Sequence, residues 1–161
     1  DVFEPEVIIG ALFEADKEVG CELWSLLDRE AFARKLNGDL FMFGARVLMQ
    51  SVFHASVKAG LELWSLVDKE GLAQTIMRSP SLIAAAYSLE GIYRSSRHAG
   101  YELCSFLVPS KVAAQFMEQA PSEDAVRLFV AIRKANRAVA CKILDAIPDR
   151  GVRQFLSSAK T

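Results

Sequence analysis

A nine-residue phrase recurs every forty residues and limits the folds open to this chain. Gly20–Asp28 and Gly60–Asp68 share the text Gly-x-Glu-Leu-Trp-Ser-Leu-x-Asp. Gly100–Leu107 keeps the frame Gly-x-Glu-Leu-x-Ser, and Ala140–Ile147 is a fourth copy in which the polar residues change. The sequence therefore predicts four successive copies of one structural unit, at residues 1–40, 41–80, 81–120 and 121–161.

Five equivalent positions are apolar in every copy. They are Ile9, Met49, Leu89 and Phe129; Leu12, Val52, Ile92 and Ile132; Val19, Ala59, Ala99 and Val139; Leu23, Leu63, Leu103 and Ile143; and Leu27, Val67, Leu107 and Ile147. At 100° per residue these positions fall within an arc about 100° wide, which is the face that a helix buries. The pattern predicts one long helix per copy, which in the first copy would run from about Pro5 to Leu27.

A second, shorter helix is predicted to follow in each copy, at about Arg29–Asn37 in the first. Its inward residues would be Phe32 and Leu36, with counterparts Leu72 and Ile76, Val112 and Phe116, and Val152 and Leu156. Asp28 and Asp68 are natural N-caps for this helix, and the later copies carry Pro109-Ser110 and Pro148-Asp149 at the same place.

Polar residues on the buried arc leave two alternatives for the long helix. Asp16, Ser56, Ser96 and Asn136 are all N-cap types, so the helix could be broken there, giving three helices per copy. The apolar phase passes this position unshifted, which favours a continuous helix with a kink. Gly20, Gly60 and Gly100 could assist such a break; in a continuous helix each would cost about 1 kcal/mol relative to alanine, and we would then expect neighbouring helices to approach closely there.

No unit of this size can bury its own apolar face, so the copies should stack side by side. The predicted fold is an all-α superhelix, an α-solenoid, with residues 1–161 as a single helical-repeat domain. The text resembles the helical-repeat class of HEAT, armadillo and Pumilio-type proteins, with HEAT and armadillo closest in length. Two segments, Phe43–Gln50 and Cys141–Ile147, are similar to Pumilio helices but lie at different positions of the repeat.

Composition is consistent with a folded protein in a reducing compartment. Just over half of the residues are apolar, at 52%, and no apolar run approaches the ~18 residues of a membrane span. Three cysteines without paired spacing, Cys21, Cys104 and Cys141, favour small apolar fillers over disulfides or zinc. We expect an intracellular, most simply cytoplasmic, location. Without an initiator methionine or a targeting segment, the chain is expected to be a fragment of a longer array.

The sequence offers no catalytic constellation. His54 and His98 lie at unrelated positions without a metal spacing, and no nucleophile motif or glycine-rich phosphate loop is present. We therefore expect no enzyme activity, no metal, no cofactor and no small-molecule substrate. Trp24 and Trp64 are interpreted as packing residues, although a base-stacking platform is the alternative.

A row of polar residues, which we term the Glu–Ser ladder, remains as a candidate binding surface. It consists of Glu22, Ser25, Glu62, Ser65, Glu102 and Ser105, and the last copy replaces the pair with Lys142 and Asp145. Residues three apart share a helix face, so the ladder is either a duplicated solvent-exposed pair or a row of acceptors for a basic or helical peptide. The second interpretation predicts a protein–protein interaction scaffold.

Charge is distributed unevenly along a chain of net charge −1. The first copy holds ten acids and four bases, and the last holds four acids and eight bases. The two ends carry opposite charge, which predicts head-to-tail self-association. Open apolar faces would add to it, and they are expected at Phe3, Ile9 and Phe13 and at Phe129, Val152 and Phe155. The alternative function is single-stranded RNA binding at Arg133, Lys134 and Arg137, although near-neutral charge makes RNA a weaker expectation than protein.

Overall fold

The computed structural model describes residues 11–13, 15–38, 49–54 and 56–159, and this part of the chain is helical without a strand. Residues 11–13 and 49–54 are also helical; the former precede, and the latter lie between, the main helices. These are α1 Lys17–Leu26, α2 Arg29–Gly38, α3 Val57–Leu66, α4 Lys69–Arg78, α5 Leu82–Ser95, α6 Arg97–Ser105, α7 Pro109–Gln119, α8 Glu123–Ala135, α9 Arg137–Ala146 and α10 Arg150–Ser157. The predicted all-α class is confirmed.

The preferred continuous long helix is wrong, because the N-cap residues do break it. Ser96 ends α5 and starts α6 with extended backbone angles, φ −152° and ψ 120°, and its hydroxyl accepts from the Ala99 N–H. Asn136 separates α8 from α9 in the same way. Asp16 and Ser56 cap α1 and α3. The three-helix alternative is therefore the correct one.

The break preserves the apolar phase because it consumes a single residue. The Ser96 N–H still donates to the Ile92 carbonyl at 2.9 Å, and the Gly100 N–H donates to the Ser96 carbonyl at 3.0 Å. Hydrogen bonding between residues four apart thus resumes at once on the far side of the cap. An unshifted periodicity cannot distinguish such a break from a continuous helix.

The predicted short helices and their caps are confirmed. Asp28 accepts from the Ala31 N–H at 2.9 Å, and Asp68 accepts from the Gly71 N–H at 3.0 Å. Asp149 caps α10, and Pro109 is the first residue of α7. The inward residues are buried in α4, where they are Leu72 and Ile76, and in α7, where they are Val112 and Phe116. In α10 Leu156 is buried and Val152 is half-buried, whereas the side chains of Phe32 and Leu36 lie outside the described residues.

The predicted core is buried in the later copies and partly exposed in the first. Leu63, Leu103 and Ile143 are all 0% exposed, whereas Val19 and Leu23 in α1 are 44% and 37% exposed. The core assignment is therefore wrong for Val19 and Leu23.

Two residues expected on open apolar ends are instead buried. Phe13 is 4% exposed and Phe129 is 1% exposed. Each packs against another ring, Phe13 on Trp24 and Phe129 on Phe116. Phe3 and Ile9 lie outside the described residues.

The glycines lie where an aromatic ring leaves no room for a side chain. A Cβ atom on Gly60 would lie 2.4 Å from Cγ of Phe53, and one on Gly20 would lie 2.4 Å from Cδ1 of Phe13. At Gly100 the obstructing residue is Tyr93, whose Cβ would be 2.8 Å away. The close approach comes from the helical segment just before the break in the same copy, so the glycines accompany the corner instead of making room for a neighbouring copy along a continuous helix.

Contacts between successive copies recur with the same pairing of elements. The third helix of one copy contacts the second helix of the next, as α2 with α3, α4 with α6 and α7 with α9. The first helices α5 and α8 pack together, as do the third helices α4 and α7. The buried side chains form one connected apolar cluster. The core is therefore shared between consecutive copies.

Candidate functional site

Two glutamates of the Glu–Ser ladder are already engaged by the preceding copy. Glu62 accepts from Arg29 Nη1 at 3.0 Å. Glu102 accepts from the indole N–H of Trp64 at 2.8 Å and lies 3.8 Å from Lys69 Nζ. Both carboxylates are about one-third exposed, at 37% and 34%. They do not lie free on a solvent face but join one copy to the next.

The serines of the ladder are exposed and bonded within their own helices. The hydroxyls of Ser25, Ser65 and Ser105 donate to the backbone carbonyls of the glutamates three residues earlier, at 2.6–2.7 Å. Glu22 is exposed as well. The hydroxyl protons of this row are already donated to backbone carbonyls, so these serines have no free proton to donate to a peptide.

The last copy changes both partners of the inter-copy contact. Lys142 replaces the glutamate and is exposed. The residues equivalent to its partners also differ, because Pro109 stands where Lys69 does and Cys104 where Trp64 does. The glutamate and its partner residues are thus replaced at the same boundary, as expected if the glutamates serve as contacts between copies.

The predicted basic patch is divided among different environments. Arg133 donates from Nη2 to the Ala159 carbonyl at 2.6 Å, and its guanidinium lies 5.6 Å from the Phe129 ring centroid. Lys134 and Arg137 are exposed, but Arg137 begins α9 whereas Lys134 is near the end of α8. Arg133 therefore contacts the local structure, whereas Lys134 and Arg137 are exposed on either side of the Asn136 cap.

A groove between α5 and α8 has a cavity volume of about 660 Å³. The α5 wall consists of Tyr87, Glu90, Gly91 and Arg94. The α8 wall consists of Glu123, Val126, Arg127, Val130, Ala131 and Lys134. Gln50 and Phe155 also line it. Small and branched apolar residues form its floor, and charged side chains rise from both helices.

The two walls differ in how their charges are paired. On α5, Arg94 Nη2 lies 2.7 Å from Glu90 Oε1, so these charges offset each other. On α8, Arg127 lies over the Tyr87 ring with its guanidinium carbon 4.9 Å from the centroid, and it donates to the Tyr87 hydroxyl. Within the described residues, neither Arg127 nor Lys134 has a carboxylate within ion-pair distance. The α8 wall therefore presents two cations to a ligand.

The remaining chemistry-bearing side chains are dispersed. No group of three or more His, Cys, Asp or Glu side chains that could hold a metal occurs among the described residues. His98 lies 3.9 Å from Glu102. Among the described helices, none is long and apolar enough to cross a membrane. Trp24 and Trp64 are each 3% exposed, which confirms packing over base stacking.

The cysteines do not behave alike. All three are free; Cys21 and Cys141 are exposed, which corrects their interpretation as apolar fillers, whereas Cys104 is buried. Burial raises the pKa of the Cys104 thiol to about 12, because the charged thiolate would lose its hydration. Cys104 is therefore a core residue whose thiol ionises less readily than an exposed one.

Sequence reasoning missed the groove, although a signal for it was present. Tyr87 and Arg127 are equivalent positions, and so are Arg94 and Lys134. Constant apolar positions mark the core, whereas this lining is marked by large polar residues that recur at equivalent positions of the third and fourth copies. The packing of α5 on α8 brings these residues to one place.

No protein-family model, curated protein or solved structure matches this chain. Its function therefore has to be inferred from its own residues.

Proposed function

We propose that the chain is a non-catalytic scaffold that binds a peptide or helix of a partner protein in the groove between α5 and α8. Its architecture would be an α-solenoid of four stacked layers, each a copy of the forty-residue unit. The recurrent pairing of third and second helices supports this stacking, because each copy uses the same surface toward its neighbour.

The groove is the observation that carries the binding proposal. A volume of about 660 Å³ lies within the range of ligand sites, and its lining combines an apolar floor with a few convergent polar groups. The Glu–Ser ladder offers less, since Glu62 and Glu102 have partners in the chain itself. Peptide binding at the ladder remains a weaker form of the proposal.

Selection from a displayed library of random peptides tests this function. We expect enriched peptides to protect backbone amides of α5 and α8 from hydrogen exchange. Val130→Trp should fill the groove and abolish binding, whereas Val57→Trp, on the exposed start of α3, should leave it unchanged. Failure to enrich any peptide, or protection confined to α1, α3 and α6, would refute the groove as the binding site.

Single-stranded RNA is the competing ligand class. It is disfavoured because the groove offers few cations to a phosphate backbone and the chain has a net charge of −1. The two tryptophans proposed as stacking platforms are buried.

Head-to-tail self-association is a second element of the proposal. Val19 and Leu23 are exposed at one end of the described chain and Phe155, 37% exposed, lies at the other. The acidic first copy and basic last copy would attract each other. Sedimentation velocity should show association that weakens with salt yet persists in part, because salt screens charge but not apolar contact. A monomer at all salt concentrations would exclude it.

A further inference from the structure

We infer that the groove selects an acidic peptide segment, one that places carboxylates on either side of an apolar side chain. This inference rests on the proposed function and specifies its partner. It follows from the two cations of the α8 wall, their spacing, and the residues between them.

The charge of the α8 wall is not offset from within the described chain. Glu123 is the single carboxylate of that wall and lies in the first turn of α8, where the helix dipole stabilises it. Glu123 is four residues from Arg127, yet the guanidinium lies over Tyr87 instead. Lys134 is exposed near the other end of the helix. A ligand carboxylate would therefore gain a charge-assisted hydrogen bond without displacing an existing ion pair.

The spacing of the two cations defines the form of the ligand. Arg127 and Lys134 are seven residues apart, so they share a helix face and are separated by about 10 Å along the axis. Val130 and Ala131 line the groove between them. An extended peptide advances about 3.3 Å per residue. Only every second side chain of an extended peptide faces one side, so carboxylates about four residues apart, with an apolar side chain midway, would match this wall through the long side chains of Arg127 and Lys134.

Comparison with the preceding copy shows that this property belongs to α8. At the positions of Val130 and Arg127, α5 carries Glu90 and Tyr87. The same groove therefore has one neutralised wall and one cationic wall. A short peptide can place its charges on the cationic side alone, whereas RNA carries a charge at every nucleotide and would need a longer row of cations.

The test compares peptides selected on the parent chain with those selected on Arg127→Glu/Lys134→Glu. We expect Asp and Glu to be enriched among groove-binding peptides of the parent, and Lys and Arg among those of the variant. The control Arg97→Glu/Lys111→Glu makes the same change of charge at exposed sites outside the groove and should select the parental peptides. Melting curves would verify that each variant is folded.

A second measurement uses the best acidic peptide with a fluorescent label. Replacing its carboxylates by amides should weaken binding by at least about tenfold, with a smaller salt dependence. Groove-binding peptides without acidic enrichment would overturn this inference while leaving the scaffold proposal standing. Absence of any groove-binding peptide would defeat both. Displacement of the peptide by mixed-sequence single-stranded RNA at equal concentration would overturn the peptide class in favour of RNA.

Discussion

The middle of the chain and its last copy use equivalent positions in different ways. In the middle, Lys69 and Trp64 reach Glu102 in the next copy. In the last copy, Lys142 takes the place of the glutamate, and the positions facing it are Pro109 and Cys104. Both sides of this contact between copies are therefore replaced at the equivalent boundary of the last copy.

A contact within one copy also differs between the middle of the chain and the last copy. Phe53 fills the space above Gly60, whereas the last copy has Arg133 and Ala140 at these positions. Arg133 reaches the Ala159 carbonyl, just beyond the end of α10. In the last copy the aromatic residue is therefore absent, and alanine replaces the glycine. The arginine in the aromatic position makes a new contact near the end of the described chain. Positions that differ between copies therefore identify contacts as clearly as positions that agree.

The largest expected contrast is between cysteines of the two regions. Cys104 occupies the position that holds tryptophan in the first two copies, and its pKa rises from 9.0 to about 12. The thiolate population near neutral pH should fall about a thousandfold relative to an ordinary thiol. Under native conditions, iodoacetamide followed by mass spectrometry should label Cys21 and Cys141 long before Cys104. Labelling of Cys104 at a similar rate would show that this part of the core is open.

Overpacking of the middle copy comes next. Gly60→Leu would drive a side chain into Phe53 and should lower the free energy of unfolding by about 1–3 kcal/mol, as measured by urea denaturation. Gly151→Leu is the matched control, because Gly151 is exposed and a Cβ there would meet only Asp149 Oδ1, at 3.1 Å. Its effect should stay within about 0.5 kcal/mol. Equal stability of the two variants would contradict the close approach.

Removing the boundary carboxylate should cost less. Glu102→Ala deprives the Trp64 N–H of its acceptor and should reduce the free energy of unfolding by about 1–2 kcal/mol. Lys142→Ala, at the equivalent position of the last copy, should change it by less than about 0.5 kcal/mol. Similar losses in both variants would mean that the middle and last copies do not differ as described.

The smallest effect is expected at the first boundary. Arg29 and Glu62 are 40% and 37% exposed, so solvent weakens their attraction. Arg29→Ala should cost under about 1 kcal/mol, and the loss should diminish with added salt. A larger loss that is insensitive to salt would indicate that Arg29 acts through packing of its alkyl chain.

The sequence predicted the features that depend on local pattern. The all-α class, the short helices with their aspartate caps and the burial of Leu63, Leu103 and Ile143 follow from periodicity and cap chemistry. The break at Ser96 was predicted only as an alternative, because a one-residue interruption leaves the phase unchanged. The groove and the contacts of Glu102 require knowing which copies face each other, and a pattern within one helix does not contain that information.

Distances between spin labels test the stacking of the four copies most directly. Cys21 and Cys141 are exposed and serve as native sites once Cys104 is replaced by alanine, and Leu61→Cys and Tyr101→Cys supply the exposed positions between them. Packed helices lie about 8–10 Å apart, so stacking predicts that the distance to residue 141 grows by about one such step from residue 101 to 61 and again to 21. A distance from 21 to 141 no longer than that from 61 to 141 would show that the copies close on themselves, and would contradict the stacked array.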